Sequence, residues 1–263
     1  MTESGEHASL DAELSADFGI DLSEHLEGIR DALAACIDGA RHAGLDAPVP
    51  GCPEWTVRQL VAHLGMVHRW ATAEVRGEQS DPTMQEGLEV DDPISWLHDG
   101  GLRLLETLDS APGDLEAPVF LEDAPPPRRF WARRQCHETT IHAVDALAAS
   151  LGRTARADDT WISREIALDG IDELLTGFVT RRSSKLRAET PTTIAVRPHD
   201  ASMRWTVHVS TEPAVTERKD THHADVELEG SAVALYLALW NRSEEIQADG
   251  FDLWRSTARV TWR

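Results

Sequence analysis

The sequence predicts an α+β protein in which an N-terminal four-helix bundle is followed by a smaller α+β domain. Residues 23 to 151 repeat apolar side chains at helical spacing. Beyond residue 190, short segments alternate apolar and polar residues, as half-buried strands do. A chain of 263 residues with 41% hydrophobic side chains is also long enough and apolar enough to bury the cores that this architecture needs.

Four segments have the apolar period of amphipathic helices. The first runs from Ser23 to Ala43. The second follows a T-x-x-Q capping box at Thr56 and ends at Gly77. The third covers residues 92 to 109 and opens with an aspartate cap before proline, and the fourth runs from about Phe130 to Leu151. The segment "LDAPVPGCPE" between the first two helices is expected to be a linker.

The spacing of the apolar residues changes in the second half of the chain. A helical stretch, "WISREIALDGIDELLTGFVTRR", precedes three segments that are typical of strands: "TTIAVRP", "MRWTVHVS" and "ADVELEG". A further helix, "SAVALYLALWNRS", follows, and "ARVTWR" at the end is strand-like. We therefore expect a mobile acidic extension over residues 1–20, the bundle over 21–155, a connecting helix over 156–190 and the smaller domain over 191–263.

Charge and composition exclude several kinds of partner. With 25 basic against 46 acidic residues, the formal charge is −21, and such a surface repels nucleic acid and anionic lipid. No apolar run approaches the roughly 20 residues needed to cross a bilayer, and the first residues lack a signal-peptide pattern, so a cytoplasmic protein is expected. Cys36, Cys52 and Cys136 lack the spacing of a zinc knuckle or a disulfide framework and are expected to be reduced thiols.

The fourth helix carries a polar stripe beside its apolar one. Phe130, Ile141, Val144, Ala148 and Leu151 form the predicted apolar stripe, and Arg134, Glu138, His142 and Asp145 form the polar stripe. The stretch "HETTIH" resembles the zinc-protease signature H-E-x-x-H, but its two histidines are five residues apart. That spacing turns them about 140° from each other on a helix, so they cannot share one metal ion.

Glu138 and His142, at positions i and i+4, can share a metal ion if another helix supplies a further ligand. His63 is the best placed candidate, because it lies in the middle of the second helix at the flank of that helix's apolar stripe. Asp145 favours this hypothesis, since a histidine that binds a metal usually donates its second ring N–H to a carboxylate. The alternative remains open that Glu138 and His142 are an ordinary helical pair and that His63 is a hydrogen-bonded core histidine.

Two stretches, "VPGCPEWTVRQLVAHLG" and "FWARRQCHETTIHAVDA", together resemble the mycothiol-dependent maleylpyruvate isomerase family. The segments "DGIDELLTGF" and "DVELEGSAVALYLALWNR" resemble the later part of the same family, so the resemblance covers most of residues 25–263. It implies a DinB-like metal-binding four-helix bundle and a C-terminal domain with a sterol-carrier-protein-like α+β fold. It also implies that His63, Glu138 and His142 bind a divalent metal, normally zinc, and that the thiol cosubstrate is mycothiol.

This ligand set predicts a catalytic rather than a structural metal. Two histidines and one carboxylate leave the fourth position of a tetrahedral zinc open. A thiol bound there would be deprotonated and would become a nucleophile at neutral pH. The expected function is therefore that of a cis–trans isomerase of the maleylpyruvate type or of a thiol S-transferase.

Two arginines are candidates for supporting this chemistry. Arg242 ends the helix "LALWNR", and we expect it to act in catalysis as an anion clamp across the domain cleft, holding a carboxylate-bearing electrophile. Its alternative role is to complement the dipole at the helix C-terminus. Arg134, one turn before Glu138, is expected to support the ligands by pairing with Asp145 or Glu138. Trp55 and Trp131 are expected to pack at the mouth of the site or in the core.

Two other functions compete with the thiol-dependent enzyme. A metal-dependent hydrolase of thiol conjugates would place water in the open position and would need a general base, for which Asp145 is the available carboxylate. A small-molecule or metal-binding module without catalysis would be expected to lack one of the ligands, and all three are present in the sequence.

Overall fold

The computed structural model describes residues 20–121 and 123–258. The expected N-terminal extension, up to residue 19, and the strand predicted at "ARVTWR", beyond Ala258, lie outside these residues. The described chain is mixed helix and sheet, which confirms the predicted α+β class. It divides into a helical unit, Leu22–Trp161 with Trp240–Glu244, and a sheet-containing unit that includes Ile162–Leu239 and continues again from Glu245.

Four long helices build the helical unit, and a short helix and a hairpin accompany them. The predicted helices are confirmed to within a few residues at each end. The elements are α1 (Leu22–Ala43), β1 (Pro48–Val49), β2 (Cys52–Thr56), α2 (Val57–Arg76), α3 (Met84–Glu89), α4 (Pro93–Ser110) and α5 (Pro127–Leu151).

Local side chains and backbone fix the ends of these helices. The side-chain oxygen Oε1 of Gln59 accepts the backbone N–H of Thr56 at 2.8 Å, so the Gln59 half of the predicted capping box is formed at the start of α2. The carboxylate of Asp92 accepts the N–H groups of Ile94 and Ser95 at the start of α4. Gly77, with φ at 65°, closes the end of α2 in the left-handed conformation that glycine adopts without strain.

The core of the helical unit lies mainly between α1, α2 and α5, and Leu97 of α4 packs into it. It is continuous from one helix to the next, and each fully buried leucine contributes about 2 kcal/mol through removal from water. Its members include Leu33, Cys36, Ile37, Val57, Leu60, Leu64, Leu97, Ala143 and Ala146.

The segment between α1 and α2 is a hairpin, and the prediction of a linker was wrong. Val49 of β1 pairs with Cys52 of β2, so Pro50 and Gly51 form the two-residue turn. Strands of two and five residues are too short to display an alternating pattern, although the Pro-Gly pair is itself a turn signal.

Helix α5 is buried on nearly all sides. Almost every residue from Phe130 to Ala146 is buried, on the polar as well as the apolar stripe. Leu151, which was assigned to the apolar stripe, is 41% exposed because it lies in the last turn of the helix. The polar stripe of α5 is therefore an interior feature whose charges need partners inside the protein.

The elements of the second unit are α6 (Arg164–Asp172), a π-helical turn (Glu173–Phe178), β3 (Thr192–Pro198), β4 (Trp205–Val209), β5 (Val215–Glu217), β6 (Val226–Gly230), α7 (Ala232–Leu239) and α8 (Asp252–Thr257). Its four strands form one sheet in the order β5-β4-β3-β6. Strand β3 pairs antiparallel with β4 and parallel with β6, and β4 pairs antiparallel with β5. The predicted strands β3, β4 and β6 are confirmed, whereas β5 and α8 are too short to have been predicted.

Within residues 20–121 and 123–258, no helix combines the length and the apolar character that crossing a bilayer requires.

Candidate metal centre

Helices α2 and α5 bring His63, Glu138 and His142 together inside the helical unit. All three side chains are buried, and one potential ligand atom from each lies within 4.8 Å of the other two. Oε1 of Glu138 is 3.5 Å from Nε2 of His63 and 3.3 Å from Nε2 of His142. The structure therefore brings together the three residues that the sequence singled out.

The donor set and its spacing fit a divalent metal. Ligand atoms at about 2.1 Å from a tetrahedral zinc lie about 3.4 Å apart, which is close to the separations around Oε1 of Glu138. That oxygen is buried, and none of the described residues donates a hydrogen bond to it. A buried carboxylate oxygen without a donor is costly unless a cation or another donor meets it, so these residues fit a bound metal ion.

Arg134 lies behind Glu138, on the side away from the histidines. Its Nη2 atom donates to Oε2 of Glu138 at 3.0 Å, so of its two expected partners Arg134 contacts Glu138. Burial raises the pKa of Glu138, but the two imidazoles and Arg134 outweigh that effect and hold the pKa well below its usual range. The carboxylate is therefore ionised at neutral pH, as a metal ligand must be.

Asp145 contacts the other nitrogen of His142. Oδ2 of Asp145 is 3.0 Å from Nδ1 of His142, while Nε2 of the same ring points to Glu138. Burial lowers the pKa of His142, but the adjacent carboxylates of Asp145 and Glu138 outweigh it and raise the pKa to about 9. Burial lowers the pKa of His63, so the two imidazoles differ in their affinity for a proton.

Arg242 lies beside Asp145, a partner that the sequence had not assigned to it. Its Nε and Nη2 atoms donate to Oδ1 and Oδ2 of Asp145 at 2.7 and 3.0 Å. Nη1 donates to the carbonyl oxygen of Trp240 at 2.9 Å. The role of Arg242 as an anion clamp stays a prediction.

The β1–β2 hairpin contributes Trp55, which the sequence placed at the mouth of the site or in the core, and Cys52, which the sequence did not place at the centre. The indole of Trp55 lies 4.9 Å from the ring of His63 and 6.2 Å from that of His142, measured between centroids. The thiol of Cys52 lies 3.8 Å from Oδ2 of Asp145 and 3.5 Å from Nη2 of Arg242. Burial, followed by the charge of Asp145, raises the pKa of Cys52 to about 11, so this side chain is a thiol at neutral pH.

Two further residues with reactive or aromatic side chains have packing roles. Burial raises the pKa of Cys36 to about 12, and its thiol faces the carbonyl oxygen of His142 at 4.0 Å. Trp131 is almost completely buried, and its Nε1 atom donates to the carbonyl oxygen of Pro118 at 3.1 Å. Trp131 therefore packs in the core, which is one of the two placements predicted for it.

Comparison with known proteins identifies relatives of both parts of the chain. The family model described as the mycothiol maleylpyruvate isomerase N-terminal domain matches residues 26–147, and the model of the MDMPI C-terminal domain matches residues 165–250. No curated protein matches the chain.

Two solved structures are similar in fold. They are a mycothiol-dependent maleylpyruvate isomerase, with 15% identity and a TM-score of 0.59, and a histidine-to-alanine mutant of such an enzyme, with 14% identity and a TM-score of 0.60. Each comparison covers 88% of this chain and 93% of the other. Since the two domain models match in order along the chain and its fold agrees with these structures, the chain belongs to the mycothiol-dependent maleylpyruvate isomerase family.

Proposed function

We propose that the protein is a zinc- and mycothiol-dependent enzyme, a cis–trans isomerase of the maleylpyruvate type, with thiol S-transfer as the variant reaction of the same centre. The observation that carries the proposal is the buried triad of His63, Glu138 and His142 around an oxygen that receives no hydrogen bond from the described residues. Membership in a family named for a thiol-dependent isomerase supports it.

His63, Glu138 and His142 would hold the metal and leave one position for an exogenous ligand. A bound zinc would supply a Lewis acid that keeps a thiol deprotonated, and a thiolate that adds to a conjugated cis double bond allows rotation and then elimination to the trans isomer. The residues around the ligands set the protonation states that metal binding requires. Arg134 keeps Glu138 ionised, and Asp145 holds the proton of His142 on Nδ1.

The electrophile needs a cation if it carries a carboxylate, because the protein as a whole has a formal charge of −21. Arg242 remains the proposed clamp, acting through Nη1, which has two N–H groups and donates one of them to the carbonyl oxygen of Trp240. Trp55 offers an apolar face next to the imidazoles, suited to the flat conjugated part of such a substrate.

The hydrolase alternative is disfavoured by the surroundings of Asp145. A general base needs a carboxylate oxygen that can accept a proton from water. Oδ1 of Asp145 accepts from Arg242, and Oδ2 lies within hydrogen-bond distance of both Arg242 and His142. The carboxylate that the hydrolase would use is thus already engaged. A module that only binds a small molecule or a metal stays the remaining alternative.

The experiment that tests the proposal measures conversion of maleylpyruvate by the zinc-loaded protein with and without mycothiol. We expect turnover only in the presence of the thiol, and thiol consumption with an electrophile if S-transfer is the reaction. Turnover that proceeds without thiol and is inhibited by it would instead identify a water-activating enzyme. Tight zinc binding with no turnover of any electrophile would identify a binding module.

A further inference from the structure

We propose that Arg242 is a positioning residue for the metal centre, holding Asp145 so that Asp145 fixes the ring of His142 with Nε2 toward Glu138 and His63. This inference rests on the proposed function, because it assigns a task in metal binding. It differs from the clamp role, which concerns the substrate.

The pair of Arg242 and Asp145 has the geometry of a rigid contact. Two parallel hydrogen bonds, Nε to Oδ1 at 2.7 Å and Nη2 to Oδ2 at 3.0 Å, join the planar guanidinium to the planar carboxylate. Such a bidentate contact restricts rotation of the carboxylate more than one hydrogen bond can. The side chain of Asp145 is 1% exposed, so water does not compete for its oxygens.

Asp145 in turn determines which nitrogen of His142 carries the proton. An ionised carboxylate can only accept, so the 3.0 Å contact from Oδ2 requires the hydrogen on Nδ1. In the neutral form of the ring, which metal binding requires, the lone pair then lies on Nε2, the atom that faces Oε1 of Glu138 at 3.3 Å. A free aspartate could rotate away from Nδ1, and the guanidinium prevents this.

Arg242 is itself held from two further directions. Nη1 donates to the carbonyl oxygen of Trp240, and Nη2 contacts the thiol of Cys52 at 3.5 Å. Gly51, in the hairpin turn, lets the backbone pack against the pair, because a Cβ atom there would come within 3.0 Å of Cδ of Arg242. The guanidinium is thus a fixed support with most of its donors in use.

The test compares zinc affinity in Arg242→Ala and in a matched control, Arg218→Ala. Arg218 makes the same two contacts, Nε to Oδ1 at 2.7 Å and Nη2 to Oδ2 at 3.0 Å, with the buried Asp172 of the sheet-containing unit. Both variants remove one arginine from a buried aspartate, but only one of these aspartates touches a proposed metal ligand. Zinc is titrated into the chelator-treated full-length proteins in competition with a chromogenic chelator.

We expect zinc affinity about 10- to 100-fold weaker in Arg242→Ala and unchanged in Arg218→Ala. Loss of an outer partner of a metal site weakens metal binding by about this range, and removal of Arg242 releases Asp145, the partner of His142. The visible spectrum of the cobalt-substituted protein should change in Arg242→Ala alone, because the ligand field senses the orientation of His142. Arg242→Lys, which keeps the charge but not the planar pair, should recover only part of the affinity.

Wild-type zinc affinity and an unchanged cobalt spectrum in Arg242→Ala would overturn the positioning role. Failure of the wild type to bind zinc would overturn the proposed function as well, so the two failures are distinguishable. If Arg242→Ala does not fold, the double variant Asp145→Asn/Arg242→Gln removes both buried charges and serves in its place. The same loss of zinc affinity is expected there, and retained affinity would again overturn the inference.

Discussion

The backbone of Gly51 packs directly against the carboxylate of Asp145. A Cβ atom added to Gly51 would come within 2.5 Å of Oδ1 of Asp145, a separation that real Cβ atoms essentially never show. The hairpin turn and Asp145, which contacts His142, therefore pack closely against each other, although they belong to distant parts of the chain.

Gly51→Ala should therefore disturb both stability and metal binding. The added methyl group must push the hairpin off the Asp145–Arg242 pair, and overpacking of this kind costs about 1–3 kcal/mol in the free energy of unfolding. Urea unfolding and chelator competition measure the two effects. Gly113→Ala is the control, because a Cβ atom at Gly113 would have no neighbour within 4 Å. Equal stability and equal zinc affinity in the two variants would contradict the prediction.

The metal content of the protein is a direct prediction from the triad. We expect about one zinc per chain by elemental analysis after reconstitution, and a loss of the metal in His142→Ala. The fold should survive, because His142 lies outside the continuous hydrophobic core that joins α1, α2 and α5. Circular dichroism checks the fold, and His98→Ala on the exposed side of α4 is the control. A metal-free wild type after reconstitution would refute the triad as a metal site.

The helices and the pair of Glu138 and His142 were predictable from the sequence because their signals are local. Apolar periodicity marks α1, α2, α4 and α5, and the i, i+4 spacing alone places Glu138 and His142 on one face of α5. The position of His63 on a neighbouring amphipathic helix made it only the best placed candidate for a third ligand, and the family resemblance implied the same residue. The helices and the pair of Glu138 and His142 depend on residues a few positions apart, whereas the approach of His63 to that pair depends on the packing of α2 against α5.

The contacts that hold the proposed metal ligands in place could not be predicted from local sequence patterns. Asp145 and Arg242 are 97 residues apart, and Asp145 and Cys52 are 93 apart, so their contacts follow from the tertiary structure. No local pattern distinguishes an arginine that complements a helix dipole from an arginine that pairs with a buried carboxylate, as Arg242 does. The hairpin was missed for a related reason, because its short strands are stabilised by packing more than by their own sequence.

A cavity in the core between α1, α2 and α5 should lower the free energy of unfolding strongly. Leu60 is fully buried, whereas Leu102 on α4 is 50% exposed. Leu60→Ala should lower the free energy of unfolding by about 2–5 kcal/mol, and Leu102→Ala by well under 1 kcal/mol, since the cost comes from lost burial and from the cavity that remains. Urea unfolding of both variants measures the difference. Similar losses in the two would mean that Leu60 is not part of the core.

His68 should make the protein less stable in acid. Its ring is buried in the bundle, and Nε2 lies 2.9 Å from Oγ1 of Thr139. Burial lowers the pKa of His68 from 6.5 to about 3. Between these two values the unfolded chain binds a proton at this position and the folded chain does not. The stability is therefore fully present above about pH 6.5 and falls toward pH 3, by at most about 1.4 kcal/mol per pH unit.

His68→Gln keeps a hydrogen-bonding group near Thr139 but cannot titrate, so it isolates this contribution. We expect the free energy of unfolding of the wild type to fall more steeply than that of the variant as the pH is lowered from about 7 to about 4. Urea titrations at several pH values measure both slopes, and His98→Gln, at an exposed histidine, is the control. Because other groups titrate equally in all three proteins, the difference in slope belongs to His68. Parallel slopes for the wild type and His68→Gln would mean that the ring accepts a proton inside the folded bundle, and the burial argument would then fail.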